Sequence, residues 1–143
     1  MVAGVPVAET AVRLADLRDV GMRLWTWLPP GAVVWLSGEI GAGKTTLVQA
    51  VVRAAGGTGA RSPTFSLVHA YPTDSGPLVH VDCYRLADPA EARDLDFAAL
   101  LRTGRLILIE WPERAGRFAP APALELRLRY GTHPDARLIE GLP

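Results

Sequence analysis

The sequence predicts a three-layer α/β sandwich with a mixed, partly parallel sheet, formed as one domain over residues 1–143. Strand-like and helix-like segments alternate in the first half of the chain, while strand-like segments follow one another in the second half. A glycine-rich loop joins a short apolar run to an amphipathic segment. A chain of 143 residues is also long enough to bury one core without disulfides.

Two strands and a helix are predicted before the glycine loop. Residues 10–14 are expected to form a short strand, and Asp16 to cap the following helix through its carboxylate. The buried face of that helix is predicted to contain Leu17, Val20, Leu24, Trp27 and Leu28. Two prolines and a glycine at 29–31 end the helix. The continuous apolar run at 33–37 then predicts a strand that is buried on both faces.

The second predicted helix follows the glycine loop. Its buried stripe is predicted to contain Leu47, Val48, Val51 and Val52, with Gln49 and Arg53 outside. Gly56 and Gly57 are expected to end it, because glycine accepts the left-handed conformation found after helices. Residues 65–71 and 78–84 predict a hairpin, since the segment between them is rich in turn-forming residues.

Most of the remaining chain predicts strands. Residues 86–101 indicate one or two short helices, residues 105–110 a buried strand, and residues 115–123 a loop. The alternation at 124–130 is typical of a half-solvated antiparallel strand, and a last strand is expected at 136–140.

Composition and charge exclude several classes of protein. Lysine plus arginine number 15, as do aspartate plus glutamate, so the charge balance gives no sign of a broad basic surface for nucleic acid. Cys83 is the only cysteine, which excludes an intrachain disulfide and zinc sites of the CxxC type. His69, His80 and His133 lack metal-ligand spacing and are interpreted as ordinary strand or loop residues.

The chain shows no signal for export or membrane insertion. A basic region followed by an apolar run is missing from the N-terminus, so no signal peptide is expected. Apolar runs stay well short of the roughly 20 residues of a membrane span. A cytoplasmic location is therefore expected.

The loop GEIGAGKTT at 38–46 has the Gly-x-x-x-x-Gly-Lys-Thr spacing of a phosphate-binding P-loop. Its glycines let backbone N–H groups converge on a phosphate, at the partly positive start of a helix. Lys44 is expected to contact the β- and γ-phosphates, and the Thr45 hydroxyl to bind magnesium. A chance glycine-rich turn is disfavoured because a predicted strand precedes the loop and a helix follows it. The loop residues predicted to bind ATP are Glu39, Gly41, Ala42, Gly43, Lys44, Thr45 and Thr46.

Two acidic residues at strand ends are candidates for the chemistry. Asp82 and Glu110 each end an apolar run, and both are expected at the sheet edge beside the loop. One would organise magnesium and the other would orient water. Either acid could instead be a structural residue that pairs with Arg85 or Arg114.

The nucleotide is predicted to be ATP, and the reaction hydrolysis. The sequence contains no asparagine, so the guanine-reading Asn-Lys-x-Asp motif is missing. Transfer to a small acceptor is disfavoured, because the arginines are scattered and no lid-sized insertion separates the elements. No arginine is an obvious catalytic finger, so the chain alone is expected to be slow without a partner.

Four segments together resemble the TsaE (YjeE) family, the small ATPases of bacterial tRNA threonylcarbamoyladenosine modification. They are GEIGAGKTTL, SPTFSLVHAY, HVDCYRL with ADP close behind, and IEWPER, in that order. The resemblance implies a P-loop core with a mixed sheet. It also implies two partners, the threonylcarbamoyl transferase subunit TsaD and its inactive paralogue TsaB, with tRNA contacted indirectly. ATP hydrolysis would reset that complex between turnovers.

The resemblance also implies roles for individual residues. Thr45 and Glu110 would hold magnesium, Asp82 would be needed for activity, and Trp111 would lie near the nucleotide. Ser62 and Thr64 would belong to a switch-like loop facing the γ-phosphate. The catalytic residues are thus predicted to be Lys44, Thr64, Asp82 and Glu110, with ATP and Mg²⁺ as cofactors.

Several alternatives remain open from the sequence. Trp111 could be a core anchor, and residues 62–64 a plain turn. The protein could be a small-molecule kinase of the same fold, or a nucleotide-gated binding module without significant hydrolysis. The segment 90–101 departs from the family's usual glycine-containing pattern, and Glu39-Ile40 replaces the more frequent Asp-Leu.

Overall fold

The computed structural model describes residues 8–57 and 67–143. Within them, the strands are β1 (Glu9–Arg13), β2 (Ala32–Gly38), β3 (Val68–Tyr71), β4 (Leu78–Asp82), β5 (Leu106–Glu110), β6 (Leu124–Tyr130) and β7 (Ala136–Glu140). The α-helices are α1 (Leu17–Trp27), α2 (Lys44–Ala54) and α3 (Phe97–Thr103). Short 3₁₀ helices cover Leu14–Asp16, Pro89–Leu95 and Pro112–Phe118.

All seven strands form one sheet in the order β1-β7-β6-β2-β5-β4-β3. The strand β2 is central and runs parallel to both β5 and β6, and β4 runs parallel to β5. The strands β1, β7 and β3 are antiparallel to their neighbours. This arrangement confirms the predicted mixed, partly parallel sheet. It also brings the carboxyl ends of β2, β4, β5 and β6 to one edge, where α/β proteins bind ligands.

Helices cover both faces of the sheet, which confirms the three layers. On one face α1 and α2 pack over a core whose largest fully buried side chains include Leu36, Leu47, Leu108 and Leu126. A second core, containing Val33, Ile107 and Ile109, lies under the later helical segments. Burying each such aliphatic side chain contributes about 1.5–3 kcal/mol. The strands β2 and β5 supply side chains to both cores, as their continuous apolar sequences predict.

The first helix agrees with the prediction except at its two ends. Leu17, Val20, Leu24 and Leu28 are buried, but Trp27 is 57% exposed. The helix ends at Trp27 and the chain becomes extended at Leu28, which therefore fills the last core position. The predicted carboxylate cap at Asp16 is also wrong. A 3₁₀ turn leads directly into the helix there, so Asp16 is not extended and makes no side-chain capping bond.

The close packing of α1 against α2 depends on a glycine. A Cβ atom on Gly21 would lie 2.6 Å from the carbonyl oxygen of Ala50, so only glycine permits this distance between the helices. In α2, the predicted stripe of Leu47, Val48, Val51 and Val52 is buried, together with Ala50. Gly56 adopts a left-handed conformation just after the helix, as predicted.

Three predictions for the later segments need correction or restriction. The strand β6 is antiparallel to β7, as predicted, but parallel to β2. The segment predicted as a loop at 115–123 begins inside the 3₁₀ helix Pro112–Phe118. The hairpin is confirmed for β3 and β4, whereas residues 65 and 66 lie outside the described residues.

Within the described part of the chain, each helix is too short or too polar to cross a membrane.

Cys83 is expected to be unreactive in the folded protein. The residue is fully buried, and burial, with the Asp82 and Glu113 charges in support, raises the pKa of its thiol to about 12. At pH 8 the folded thiol would be ionised about a thousandfold less than an unfolded one. We therefore expect labelling by a disulfide reagent at pH 8 to be at least about a hundredfold slower in buffer than in 8 M urea, allowing for partial opening. Equal rates in the folded and unfolded chain would contradict this burial.

Candidate functional site

The predicted nucleotide loop lies at the carboxyl end of β2 and runs directly into α2. Gly41 has φ +84° and Gly43 has φ +107°, so both occupy left-handed backbone conformations that favour glycine. The first backbone hydrogen bond of the helix runs from the Leu47 N–H to the Gly43 carbonyl at 2.8 Å. The N–H groups of Lys44 and Thr45 precede that bond and project from the helix start, which makes this end of α2 suited to an anion.

Lys44 folds back over the loop. Its Nζ donates to the carbonyl oxygens of Gly38 at 2.5 Å and Glu39 at 3.0 Å, and lies 4.7 Å from the centre of the Trp111 ring. Only 5% of Lys44 is exposed. Burial lowers the pKa of this amine, while the Glu110 and Asp82 charges partly oppose the shift. The ammonium group is thus already positioned at the mouth of the loop.

Glu110 ends β5 directly opposite the start of α2. The residue is 3% exposed, and the Thr45 hydroxyl donates to its two carboxylate oxygens at 3.4 and 3.3 Å. On the other side, His80 Nε2 lies 2.5 Å from Glu110 Oε2. The described partners of Glu110 are therefore Thr45 and His80 rather than Arg85 or Arg114.

The donor set around Thr45 and Glu110 fits magnesium. Hydroxyl and carboxylate oxygens are the ligands that Mg²⁺ prefers, and the ion usually takes only one or two carboxylates together with substrate phosphates. Within residues 8–57 and 67–143, there is no cluster of three or more His, Cys, Asp and Glu residues that could hold a metal. A magnesium ion here would therefore complete its shell with phosphate and water oxygens.

Asp82 ends β4 and is the register partner of Glu110 on the neighbouring strand. Its carboxylate accepts a hydrogen bond from the Tyr84 N–H at 3.0 Å, which fixes its direction at the strand end. The residue is half-buried and borders the same cleft as Lys44. One carboxylate oxygen accepts the Tyr84 bond, and no described residue bonds to the other oxygen, which would therefore be available to a water molecule.

An aromatic wall follows Glu110. Trp111 has φ +55°, an uncommon conformation for a non-glycine residue, and its ring centre lies 5.1 Å from that of Tyr84. The Arg114 guanidinium lies 5.0 Å from the Tyr84 ring and 5.6 Å from the Trp111 ring. Trp111 borders the cleft and also packs against the second core. Its position is therefore compatible with both predicted alternatives, a residue beside the nucleotide and an anchor in the core.

These groups enclose a cleft of about 260 Å³. Its lining residues are Ile40, Gly41, Gly43, Lys44, Thr45, Thr46, Asp82, Tyr84, Glu110 and Trp111. Of the other residues predicted for the site, Ala42 is fully buried beneath the loop, and Glu39 borders a neighbouring depression. Ser62 and Thr64 lie outside the described residues.

Sequence reasoning missed His80. The interpretation of this residue as an ordinary strand histidine overlooked its contact with Glu110. One signal was available, because His80 precedes Asp82 by two positions in a strand and therefore faces the same side of the sheet.

Sequence reasoning also missed Tyr130, which supports the loop from the flank opposite Glu110. Its hydroxyl donates to the Ile40 carbonyl at 3.1 Å. A Cβ atom on Gly41 would lie 2.4 Å from that hydroxyl oxygen, so the tyrosine packs directly on the loop. The Arg137 guanidinium lies 4.8 Å from the Tyr130 ring and holds it in place.

Replacing Tyr130 by phenylalanine is expected to weaken ATP binding. The change removes one hydrogen bond to the loop, which contributes about 0.5–1.5 kcal/mol, and so would raise the Kd for ATP about two- to tenfold. Calorimetric titration with ATP measures this change. Tyr71→Phe is the matched control, because its hydroxyl bonds Gln49 away from the loop. A Kd for Tyr130→Phe equal to that of Tyr71→Phe would remove the support role.

Comparison with known proteins identifies the relatives of this chain. The family described as threonylcarbamoyl adenosine biosynthesis protein TsaE matches residues 12–139. The tRNA threonylcarbamoyladenosine biosynthesis protein TsaE of Streptomyces coelicolor is 43% identical over 117 residues, covering 79% of this chain and 77% of the relative. The protein of the same name from Haemophilus influenzae is 37% identical over 109 residues, covering 76% and 68%.

A solved structure supports the fold. The crystal structure of YdiB from Bacillus subtilis matches with a TM-score of 0.74 and covers 96% of this chain and 87% of its own. Its sequence is 23% identical, so this likeness bears on the fold alone.

Proposed function

This chain belongs to the TsaE family, whose members take part in tRNA threonylcarbamoyladenosine biosynthesis, and from that premise we propose that it is a magnesium-dependent ATPase of this pathway. The observation that carries the proposal is the convergence of Lys44, Thr45 and Glu110 on one cleft at the start of α2. A phosphate chain needs converging donors, and its magnesium needs oxygen ligands. This cleft supplies both.

ATP would bind through the loop. The triphosphate would lie across the N–H groups at the start of α2, and Lys44 would exchange its contacts with the Gly38 and Glu39 carbonyls for phosphate oxygens. Trp111 would flank the nucleotide, since its ring lies next to the lysine ammonium.

Thr45 and Glu110 would hold magnesium, and Asp82 would orient the attacking water. Bound magnesium would neutralise charge that develops on the phosphate during hydrolysis. Asp82 suits the water role because its carboxylate is fixed by the Tyr84 N–H at the edge of the cleft. Thr64 keeps its place in the proposal on the family resemblance alone.

The proposal includes protein partners and a location. The resemblance implies TsaD and TsaB as partners, and hydrolysis that resets their complex. The balance of 15 basic and 15 acidic residues favours indirect contact with tRNA through those partners. A cytoplasmic location follows from the tRNA-modifying pathway.

Steady-state hydrolysis of ATP tests the proposal. The chain would be assayed with and without magnesium, alone and with the TsaD–TsaB pair. Slow magnesium-dependent hydrolysis that rises with the pair is the expected result. Fast turnover without any response to the pair, or phosphate transfer to an acceptor, would indicate a kinase or an independent enzyme. ATP-dependent binding of the pair with no hydrolysis in either assay would indicate a binding module.

A further inference from the structure

A buried histidine contacts the proposed magnesium ligand from beneath. His80 is 6% exposed and Glu110 3%, and His80 Nε2 lies 2.5 Å from Glu110 Oε2. The register of β4 and β5 explains the contact. Asp82 is opposite Glu110, so His80, two residues earlier on β4, lies on the same face of the sheet and one step deeper.

This contact is shorter than the one that Glu110 makes with Thr45, its other side-chain partner among the described residues. Charge-assisted hydrogen bonds are short, whereas the Thr45 hydroxyl approaches the same carboxylate only at 3.3–3.4 Å. A carboxylate this deeply buried needs hydrogen-bond partners, because only a small part of it is exposed to water. An ionised carboxylate only accepts hydrogen bonds, so Nε2 of the histidine carries the proton that it donates.

We propose that His80 is a positioning residue, which holds Glu110 Oε2 and thereby leaves Oε1, 3.4 Å from the Thr45 hydroxyl oxygen, to act as a magnesium ligand. The inference rests on the magnesium site of the proposed function. With one oxygen held, the carboxylate cannot rotate about its last bond, and Glu110 binds the ion through a single oxygen. Partners that orient metal ligands in this way commonly affect metal affinity about 10–100-fold.

A purely structural role for His80 makes a different prediction. If the ring only filled space, a smaller polar residue would lower stability but leave metal affinity unchanged. His69 offers the comparison on the same sheet. It is the register partner of His80 on β3 and stacks against it at 5.9 Å between ring centres, but Glu110 is not its partner among the described contacts.

Two substitutions separate positioning from packing. In His80→Gln the side-chain amide nitrogen can reach the position of Nε2 and donate to Glu110. In His80→Asn the side chain is shorter and cannot. Both variants keep a polar side chain of moderate size, and circular dichroism checks that each is folded before binding is measured.

The measurement is Mn²⁺ affinity in the presence of ATP, by electron paramagnetic resonance, with metal-free ATP affinity measured in parallel. We expect His80→Asn to weaken Mn²⁺ binding about 10–100-fold. The Mn²⁺ affinities of His80→Gln and His69→Gln should stay within about threefold of the affinity of the parent chain. Loss of one hydrogen bond to a charged group would cause a larger shift than this. Metal-free ATP affinity should be unchanged in all variants, since the loop is untouched.

The outcomes distinguish the inference from the function on which it rests. Equal Mn²⁺ affinity in His80→Asn and the parent chain would overturn the positioning role and leave the proposed function standing. A loss of Mn²⁺ affinity in His69→Gln as large as that in His80→Asn would also overturn the positioning role. It would indicate that any change in the β3–β4 hairpin affects the site. If the parent chain with ATP bound no Mn²⁺, the proposed function and this inference would both fall.

Discussion

Replacing Glu110 by glutamine is expected to reduce magnesium-dependent hydrolysis by more than about a hundredfold. Mutating a residue that only hydrogen-bonds to a metal ligand already lowers metal affinity or activity about 10–100-fold, and this substitution changes a proposed direct ligand. The substitution keeps the size of the side chain and loses only its charge. The protein should remain folded, since an amide can still bond the Thr45 hydroxyl and His80. ATP should still bind through Lys44 and the loop amides.

Parallel measurements of hydrolysis rate and of ATP affinity without magnesium test this prediction. Glu113→Gln is the matched control, because Glu113 is exposed on the next 3₁₀ helix and also faces Lys44 electrostatically. Only the Glu110 variant should lose activity. Full magnesium-dependent activity in Glu110→Gln would mean that another group, with Asp82 the first candidate, holds the ion.

Replacing Lys44 by methionine is expected to weaken ATP binding by at least about a hundredfold. Hydrogen bonds to charged groups contribute about 1.5–3 kcal/mol each, and the lysine can make more than one to the β- and γ-phosphates. Methionine matches the length of the side chain and suits its buried place over Trp111. Stability should therefore change little, because the change also removes a buried charge.

Calorimetric titration with ATP and thermal unfolding together check this prediction. Arg53→Met removes a positive charge from the exposed far end of the same helix, and its ATP affinity should match the parent chain. Lys44 is the only lysine in the sequence, so an amine reagent labels just this side chain and the N-terminus. ATP should protect Lys44 from that reagent, and unprotected labelling at saturating ATP would contradict its phosphate role.

The sequence was sufficient to predict those parts of the site that depend on local pattern. The loop at 38–46 follows from its spacing, and the placement of Asp82 and Glu110 follows from the rule that parallel strands end at one edge. Both acids do border the cleft with Lys44. Their chemical roles stay predictions.

The remaining contacts depend on how strands are ordered and aligned, which local patterns do not specify. The contact between His80 and Glu110 requires the register of β4 against β5. The contact of Tyr130 with the loop requires β6 to lie beside β2 and parallel to it, whereas the alternation at 124–130 predicted only an antiparallel strand. Trp27 was misplaced for a related reason, because periodicity does not show the residue at which a helix ends.

The contacts of Lys44 with its own loop bear on how quickly nucleotide is exchanged. The Gly38 and Glu39 carbonyls already accept hydrogen bonds from the ammonium group, so an arriving phosphate competes with them. The contribution of Lys44 to the free energy of nucleotide binding is then the difference between its contacts with phosphate and its contacts with the two carbonyls. In the proposed ATPase, the lysine would regain its carbonyl partners as product leaves, which would offset part of the cost of losing its phosphate contacts. With the proposed hydrolysis, such a loop would favour release of the nucleotide after each turnover over its long retention.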